Sequence, residues 1–418
     1  MSAKAKAGLV HFRHYFHPAG HGTFFTGHIR MTQDRQREDD FLWVYDCGSK
    51  RPSHLRGLID QLQLGRSRRI DMVCISHFDS DHVCGLELLL KKTPARVLVL
   101  PYLSLEARIR LASLVEEEQA AAHQLAAFTV DPSRFLMERG LGERFDRIVL
   151  VQGGGQQDGV AESNQRIDDS DRFENEDYLG RIPTRPLGEE AFGYLESDRI
   201  AVAEHNQPWS IGGVYELVFY NTALVDEATP QSGVALDQIA AEVGTIVKDY
   251  DLCATTIPRS GWLKKLKDCY AKHFGSTAKR KNDISLCALG RPLVQGAINL
   301  CGMFPAHPNC QPLEVRGREN VAVLLTGDIS LNRQEIAALQ CHVGAWRWNQ
   351  VRVMQIPHHG SRGNWEPGLS ALCVHEYSVV CAPPSKHHPH DDVVSDLSKR
   401  NPFVATYDKA VSFDFHVG

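Results

Sequence analysis

Apolar runs that end in polar residues of metal-binding type are the clearest pattern along the chain. Four such runs are FLWVYD at 41–46, IDMVCISH at 70–77, VAVLLTGD at 321–328 and VRVMQIPHH at 351–359. Uninterrupted β-branched and aliphatic runs of this length predict strands that are buried on both faces. Open α/β sheets place ligand sites at the carboxyl ends of their strands, so we expect the polar residues that end these runs to lie close together.

Helical patterns fill much of the chain between the strands. The segment 85–92 has leucines at helical spacing, and the strand-like segment 95–101 follows it, so a βαβ unit is predicted here. Residues 103–145 are rich in alanine, leucine and glutamate and are predicted to be mostly helical. Helical periodicity returns at 234–252. The overall pattern is typical of an α/β protein.

The composition excludes several classes of protein. The 418 residues are 43% hydrophobic and 23% charged, which rules out a fully disordered chain, a collagen and a coiled-coil rod. No apolar run approaches the roughly 18 to 20 residues that cross a bilayer, and the N-terminus lacks an apolar signal segment. The 11 cysteines include no CxxC pair, which favours reduced thiols over disulfides or a zinc ribbon. We therefore expect a cytoplasmic protein without a membrane partner.

Charge is distributed unevenly, so the net charge of −5 is a poor guide to partners. The segment 156–190 carries ten acidic and four basic residues and is poor in aliphatic residues, and the surrounding 154–190 is predicted to be a long mobile loop. By contrast, 263–282 is strongly basic and includes Lys264, Lys265 and Lys267. Such a segment can neutralise nucleic-acid phosphates, although an ordinary solvated helix face has the same composition.

The most concentrated chemistry lies directly after the second apolar run. His77, Asp79, Asp81 and His82 place four metal-ligating side chains within six residues. In an extended loop, side chains at i, i+2 and i+4 project to one side, so the first three can converge beside His82. Buried together without a cation, these groups would repel one another, whereas imidazoles and carboxylates together suit Zn²⁺, Mn²⁺ or Fe²⁺. The alternative is a polar loop in which Asp81 caps the following helix.

These residues resemble the metallo-β-lactamase fold, and within it the ComEC-like branch of competence-protein hydrolase domains, in which the signature reads HxDxDHxGGL. Further motifs resemble those of that branch and occur in the same order: Gly20-His21-Gly22, Asp46-Cys47-Gly48, Asn282-Asp283-Ile284-Ser285-Leu286, Thr326-Gly327-Asp328, Pro357-His358-His359-Gly360-Ser361 and His388-Pro389-His390. There are two departures. Asn282 lies near the place of a histidine that many members have, and Thr23 replaces the aspartate of the first glycine turn.

The resemblance implies a particular architecture. We expect residues 1–418 to form a single αββα sandwich, in which helices flank two mixed sheets. The segments 101–210 and 225–280 have no counterpart in the family and are interpreted as insertions. The first is expected to be helical and then an acidic loop, and the second helical and basic. Such insertions offer surfaces for a protein partner.

The resemblance also implies a centre of two divalent ions. His77 and Asp79 would hold one ion, while Asp81, His82 and His358 would hold the other. Asp328 would bridge the two ions, and a hydroxide between them would perform hydrolysis. Supporting roles fall to three residues around the ligands: Asp46, Asn282 and His359. Since the family histidine is missing, the expectation shifts from zinc towards manganese or magnesium.

Several histidines are less clear from the sequence. Adjacent residues on a strand point to opposite sides, so only one of His358 and His359 is expected to reach the ions, and we favour His358. His388 could donate a proton to the leaving group or bind a phosphate, or it could simply pack in a proline-rich turn. The early histidines are interpreted as scaffold and pocket rim: His11, His14, His17 and His21.

The ComEC-like resemblance implies nuclease activity, so cleavage of DNA or RNA is the leading hypothesis. Besides Asp81 and His388 as catalytic residues, it assigns phosphate contacts to the lysines of the basic segments: Lys264, Lys265, Lys267 and Lys386. A second hypothesis is a small-molecule hydrolase that acts on a lactone, thioester or cyclic nucleotide, with the insertions as a lid. A third is a non-catalytic partner module of a bacterial defence system.

Overall fold

The structure is a computed structural model of the chain. It describes residues 9–33, 37–62, 64, 68–115, 120–153, 182–187, 199–222, 229–248, 250, 261–275, 284–293, 298–304, 321–383, 385 and 387–417.

Strands form the centre of the molecule. In chain order they are β1 (Leu9–Phe16), β2 (Phe24–Gln33), β3 (Arg37–Cys47), β4 (Ile70–Cys74), β5 (Ala95–Pro101), β6 (Phe145–Gln152), β7 (Arg185–Pro186), β8 (Ile200–Glu204), β9 (Trp209–Ile211), β10 (Tyr215–Asn221), β11 (Leu286–Pro292), β12 (Ile298–Phe304), β13 (Ala322–Leu325), β14 (Val351–Gln355), β15 (Tyr377–Cys381), β16 (Pro402–Ala405) and β17 (Val411–Val417).

Within the described part of the chain the strands make two mixed sheets. The larger has the order β12-β17-β1-β2-β3-β4-β5-β6-β8-β7, and the smaller has the order β16-β15-β14-β13-β11-β10-β9. In the larger sheet, β3 through β6 and β8 run parallel, while β17, β1, β2 and β3 pair antiparallel. In the smaller sheet, β13 to β16 run parallel. The chain therefore mixes crossover connections with hairpins.

Helices lie between the strands along the chain. They are α1 (Pro52–Asp60), α2 (Ser80–Val83), α3 (Leu86–Lys92), α4 (Leu105–Ser113), α5 (Ala120–Val130), α6 (Pro132–Glu138), α7 (Leu236–Lys248), α8 (Trp262–Phe274), α9 (Arg333–Val343), α10 (Ala345–Trp348) and α11 (Asp391–Asp396). Single 3₁₀ turns occupy Gly142–Arg144, Pro357–Gly360, Leu369–Ala371 and Leu397–Arg400.

The two sheets pack face to face. One buried core joins side chains of both sheets, such as Trp43 and Val99 of the larger sheet with Tyr215 and Val353 of the smaller one. A second core lies between the outer face of the larger sheet and helices including α1, α3, α4, α5, α7 and α8. A third lies between the smaller sheet and helices including α9 and α11. The predicted α/β class, with two mixed sheets flanked by helices, is confirmed.

The four apolar runs identified in the sequence correspond to β3, β4, β13 and β14. All described residues of β4 and β14 are buried, as expected for strands covered on both faces. Just beyond β4, the backbone oxygen of Ser76 accepts a hydrogen bond from the backbone N–H of Leu286 in β11, 2.8 Å away. The two sheets are therefore joined directly next to the loop that carries His77.

The two segments interpreted as insertions contribute differently. Residues 103–145 form α4, α5 and α6, so their predicted helical character is confirmed, and β6 and β8 of the same segment extend the larger sheet. Most of the acidic stretch 154–190 lies outside the described residues. The basic segment 225–280 contains α7 and α8.

That residues 1–418 form a single domain remains a prediction. The described residues contain no helix that is long and apolar enough to cross a bilayer.

Candidate metal centre

The loop between β4 and α3 presents the predicted ligand sequence. His77 and His82 are buried, whereas the Asp79 side chain is 57% exposed. The N-cap of α2 is Asp79, and its carboxylate makes no capping hydrogen bond. The alternative in which Asp81 caps the helix is therefore wrong. Helix capping therefore does not account for the imidazoles and carboxylates of this loop.

Asp328 lies at the centre of the first group of side chains. Its Oδ1 atom is 3.2 Å from Nε2 of His82, and its Oδ2 atom is 3.6 Å from both Nε2 of His77 and Nδ1 of His358. Asp79 approaches the same group, with Oδ2 3.7 Å from Nε2 of His77. Each oxygen of the Asp328 carboxylate thus faces its own set of imidazoles, which is the arrangement a bridging carboxylate needs.

A second group adjoins the first. Oδ2 of Asp81 lies 3.3 Å from Nε2 of His359, and His21, Asp81 and His359 offer ligand atoms that all lie within 4.8 Å of one another. The His359 ring lies 5.7 Å from the ring of His82, centroid to centroid. The two groups therefore form one continuous polar site.

Two glycines allow the ligand segments to approach one another closely. A Cβ atom added to Gly48 would lie 2.1 Å from the carbonyl oxygen of Asp81, so a side chain there would displace the ligand loop. Gly327 has a φ of +57°, and a Cβ atom there would lie 2.2 Å from Oγ of Ser285. Since this conformation favours glycine and the space has no room for a Cβ atom, glycine is required before Asp328.

Asp46 orients the ligand histidine at the base of the site. It is fully buried, and its carboxylate accepts hydrogen bonds from the backbone N–H of Ser76, the hydroxyl of Ser76 and Nδ1 of His82, each at 2.7 Å. A ligand imidazole normally donates its second N–H to such a group, which leaves the other nitrogen available for a metal. The supporting role predicted for Asp46 agrees with this geometry.

The turn after β14 explains why two adjacent histidines reach the site. His358 and His359 have φ angles of +44° and +57°, so the backbone is left-handed here rather than extended. The expectation that only one of them faces the site is wrong, because it assumed the alternating side chains of a strand. His359 lies beside Asp81, where it could hold an ion directly, whereas a supporting position was predicted for it. Asp46 is also left-handed, with a φ of +56°. Backbone strain of this kind concentrates at functional sites.

Buried polar atoms without hydrogen-bond partners indicate that the first group can hold a cation. Nε2 of His77, Nε2 of His82 and Oδ1 of Asp328 are buried and have no hydrogen-bond partner among the described residues. Buried polar groups are normally paired, so three orphaned atoms that converge fit a cation. The residues can therefore hold a divalent metal ion.

The pKa values of His77 and Asp328 in the metal-free protein also fit a cation site. Burial and the neighbouring His82 oppose protonation of His77, but Asp328 and Asp79 outweigh them and raise the pKa of His77 to about 9. Burial opposes ionisation of Asp328, yet His82 and His77 hold its pKa well below its usual value. Without an ion, protons on the imidazoles compensate the carboxylate charge.

A cavity of about 540 Å³ opens from this site. Its polar end is lined by His77, Asp79, Asp81, Asp328 and His358, and a second wall is formed by residues of α4 and α5 together with Leu114 and Val115. The wall side chains are mostly aliphatic: Leu111, Leu114, Val115, Ala121, Ala122, Leu125 and Thr129.

Lys50 lies at the junction of the cavity and the second group of ligands, and sequence reasoning missed it. Its Nζ atom is 2.8 Å from Nε2 of His21 and 3.9 Å from Oδ2 of Asp81. It is the one lysine or arginine among the described residues that line the cavity. Its position just after Asp46-Cys47-Gly48 was the available signal.

The early histidines divide into two kinds. Nε2 of His11 lies 3.1 Å from Oδ1 of Asp414. Nε2 of His14 lies 3.2 Å from the Tyr215 hydroxyl, and Nε2 of His17 lies 3.0 Å from the Thr26 hydroxyl. These three histidines therefore belong to the scaffold. His21 instead packs against His359 and His388, with ring centroids 4.4 Å and 5.3 Å away. The first three histidines fit the predicted scaffold role, and His21 fits the predicted position at the rim of the site.

His388 lies at the edge of the same site. Its ring is 5.7 Å from that of His358, and its buried Nδ1 atom has no hydrogen-bond partner in the described part of the chain. Burial and the neighbouring histidines lower the pKa of His388 to about 4. His388 is therefore a neutral imidazole beside the ligands.

Other predicted site residues lie elsewhere. Lys264, Lys265 and Lys267 are on α8, and none of them lines the cavity. Lys264 pairs with Asp268 at 2.8 Å. Asn282 and Lys386 lie outside the described residues.

The grouping of the ligands also differs from the predicted one. His358 shares an oxygen of Asp328 with His77, whereas it was expected to share an ion with Asp81 and His82. His359 takes the place beside Asp81 instead. The difference follows from the left-handed turn, which sends the two histidines in different directions.

No protein-family model matches the chain, and a search of curated proteins finds no match either.

Proposed function

We propose that the protein is a metal-dependent hydrolase with the metallo-β-lactamase fold of the ComEC-like branch. The observation that carries this proposal is the buried group around Asp328, in which orphaned atoms of His77, His82 and Asp328 converge at one end of a cavity. The two face-to-face mixed sheets, and the position of the ligand loops at strand ends, support the fold.

The residues favour two adjacent divalent ions, with Asp328 as the carboxylate between them. One ion would be held by His77, His82 and Asp328, whose donor atoms lie within 4.8 Å of one another, and His358 and Asp79 lie beside this group. The second group of His21, Asp81 and His359 would hold the other ion. Nitrogen and oxygen donors without a thiolate suit manganese or zinc, and magnesium where oxygen donors dominate.

Each part of the site has a role in hydrolysis. A divalent ion lowers the pKa of a bound water and stabilises negative charge on a phosphoryl or acyl oxygen. Asp46 keeps the His82 imidazole in the orientation that exposes Nε2 to the site. Lys50, at the mouth of the polar end, places a cation where it can bind an anionic oxygen of the substrate. His388 is close enough to the ligands to exchange a proton with a leaving group.

Phosphodiesters are the leading substrate class, and DNA or RNA the leading substrate. The ComEC-like motifs support this choice, together with the cationic Lys50 beside the carboxylates. The helix α8 would add further phosphate contacts through Lys264, Lys265 and Lys267.

The aliphatic wall of the cavity favours a second candidate, a compact ester substrate with an apolar group. Small-molecule sites are typically apolar concavities of this size with a few polar groups at one end. The three lysines of α8 do not line the cavity, so a small substrate would not depend on them.

A substrate panel tests the proposal. Single- and double-stranded DNA and RNA, a generic phosphodiester, a lactone and a thioester are each incubated with Mn²⁺, Zn²⁺ or Mg²⁺. We expect metal-dependent turnover that Asp328→Ala reduces to background, because the exchange removes the shared ligand without opening an apolar cavity. Asp146→Ala is the control, since this carboxylate is 58% exposed at the amino end of β6. Equal turnover in Asp328→Ala and the parent would refute the assignment.

Charge reversal of Lys264, Lys265 and Lys267 to glutamate separates the two substrate classes. If the substrate is a nucleic acid bound along α8, its affinity falls and the dependence on salt becomes shallower, because fewer counterions are released. An unchanged salt dependence, with turnover of the small ester intact, would favour the small-molecule hydrolase.

A further inference from the structure

A second group of metal-ligating side chains lies away from the candidate metal centre, where α7 packs against α8. Glu242 of α7 and Cys269 and His273 of α8 offer ligand atoms that all lie within 4.8 Å of one another. Cys269 and His273 are four residues apart on a helix, so they project from one face of α8. Among the groups of this kind in the described chain, it is the one that includes a thiol.

Two members of the group are buried, and the third, Glu242, is partly exposed and held by neighbouring side chains. Cys269 and His273 are 2% and 1% exposed, and Nε2 of His273 lies 3.0 Å from Oε2 of Glu242. Lys272 contacts both oxygens of Glu242, at 2.9 Å and 3.2 Å, which keeps the carboxylate ionised and in position. The other imidazole nitrogen, Nδ1 of His273, lies 2.7 Å from the hydroxyl of Ser232.

This donor set has the chemistry of a zinc ligand sphere. Zinc is bound by thiolate, imidazole and carboxylate, and a site with three protein ligands keeps its fourth position for water. Ser232 supplies the outer contact of a ligand histidine, since it can accept the N–H of Nδ1 while Nε2 faces the ion. We propose that Glu242, Cys269 and His273 form a zinc site that links α7 to α8.

Binding replaces a proton by the ion. The Cys269 S–H bond breaks, the proton leaves to solvent, and a bond from the thiolate to zinc forms. Burial and the adjacent Glu242 raise the pKa of the Cys269 thiol to about 12, so the thiol keeps its proton until the ion arrives. No change of oxidation state is involved.

Zinc at this site would stabilise α8, which packs against the two helices that form one wall of the cavity. Tyr270 of α8 donates a hydrogen bond to Glu106 of α4 at 2.8 Å, and Trp262 donates one to His123 of α5 at 2.9 Å. The same two helices present Leu111 and Leu125 to the cavity. An ion at this site would therefore hold α7 and α8 together beneath the surface that faces the substrate.

Cobalt substitution tests this site separately from the candidate metal centre. The centre has no thiolate among its proposed ligands, so a thiolate-to-cobalt charge-transfer absorption that Cys269→Ser removes reports on Cys269. We expect the full-length protein loaded with Co²⁺ to show this absorption, Asp328→Ala to retain it, and Cys269→Ser to lose it. Cys373→Ser is the matched control, because Cys373 is equally buried but has no histidine partner in these groups.

Glu242→Gln covers the case in which Cys269→Ser does not fold, because Glu242 is partly exposed and opens no cavity when changed. This variant should weaken the cobalt absorption at limiting Co²⁺. Zinc should raise the midpoint of thermal unfolding in Asp328→Ala, and that rise should disappear when Cys269→Ser is added. Absence of the thiolate absorption in the parent, or its persistence in Cys269→Ser, would overturn the proposal, whatever the outcome of the hydrolysis assays.

Discussion

At the polar end of the cavity, side chains are fixed by backbone contacts between loops, whereas the second wall consists of aliphatic side chains on two helices. Gly48 approaches the Asp81 carbonyl, and Gly327 allows the turn into Asp328, so this end has no room for change. On the wall, Leu111 and Leu125 project from α4 and α5 into open space.

This contrast indicates that reactivity and selectivity reside in separate parts of the molecule. The polar end tolerates few substitutions because strained and close-packed backbone positions its ligands. The wall can change shape by exchange of single side chains without disturbing those ligands. Predictions for the two regions therefore differ in kind as well as in size.

The largest effect is expected at Asp46, whose carboxylate accepts a hydrogen bond from His82 at the polar end. Asp46→Asn keeps the size of the side chain and suits the left-handed backbone, in which asparagine is tolerated. It removes the charge that orients His82. Loss of such an outer contact typically weakens metal affinity by about 10–100-fold. Titration calorimetry with Mn²⁺ or Zn²⁺ measures this change.

Asp71→Asn is the matched control for Asp46→Asn. Asp71 is also buried and accepts a hydrogen bond from the backbone N–H of Leu42. It lies at the amino end of β4, whereas the ligand loop follows the carboxyl end of this strand. We expect it to lower stability while leaving metal affinity near that of the parent. Equal losses of affinity in both variants would indicate a general loosening of the fold rather than a role for Asp46 at the ligands.

The stability of the metal-free protein should depend on pH through His77. The pKa of His77 is about 9 in the folded metal-free protein and roughly 6.5 in an unfolded chain, so the protonated imidazole stabilises the fold. This contribution is complete below about pH 6.5 and is lost as the pH rises through 9. With a chelator present, the midpoint of thermal unfolding should therefore fall between pH 7 and pH 9.5 by an amount that His77→Asn removes.

Metal reverses this dependence, because the ion takes the place of the proton on His77. Affinity for Mn²⁺ or Zn²⁺ should rise across the same range of pH, since fewer protons must be displaced. If the metal-loaded and chelated proteins lose stability in parallel as the pH rises, His77 does not ligate the ion.

Much of the polar end could be predicted from the sequence, because its residues follow apolar runs that predict buried strands and match motifs of the ComEC-like resemblance. His77, Asp81, His82 and Asp328 meet for this reason. The positions of His358 and His359 could not be predicted, since the extended backbone that the preceding strand suggested gives way to a left-handed turn. Nothing local in the sequence specifies two left-handed histidines in succession.

The wall was harder to predict than the ligands. The helices at 103–145 follow from composition, but their packing over the ligand loop depends on contacts with distant parts of the chain, such as the hydrogen bond from Tyr270 to Glu106. The mixed spacing of the early histidines predicts scaffold and pocket rim for all four and does not separate His21 from the others. The one sequence signal for Lys50 is its position two residues after Gly48. The contact between His21 and Lys50 depends on the folded chain.

The smallest effect is expected at the wall. Leu111→Ala should change KM for a substrate with an apolar group and leave metal affinity unchanged, because the side chain faces the cavity and not the ligands. Leu111 is only partly buried, so the lost contact should be worth roughly 1 kcal/mol, or about 5-fold in discrimination. Kinetics with paired esters that differ in one alkyl group measure it.

Leu58→Ala on α1 is the control for the wall. It removes the same atoms from a partly buried leucine that packs on the same core but does not line the cavity. Equal discrimination between the paired esters in Leu111→Ala and the parent would mean that the wall does not contact the substrate.

The distribution of the ligands along the chain has a practical consequence. His77, Asp81 and His82 belong to the first hundred residues, while Asp328, His358 and His359 belong to the last hundred, and the Ser76–Leu286 hydrogen bond joins the two portions. A chain divided within 223–228 would leave neither fragment with a complete set of donors. Recovery of metal uptake on mixing the two pieces would then serve as a reporter of their reassembly.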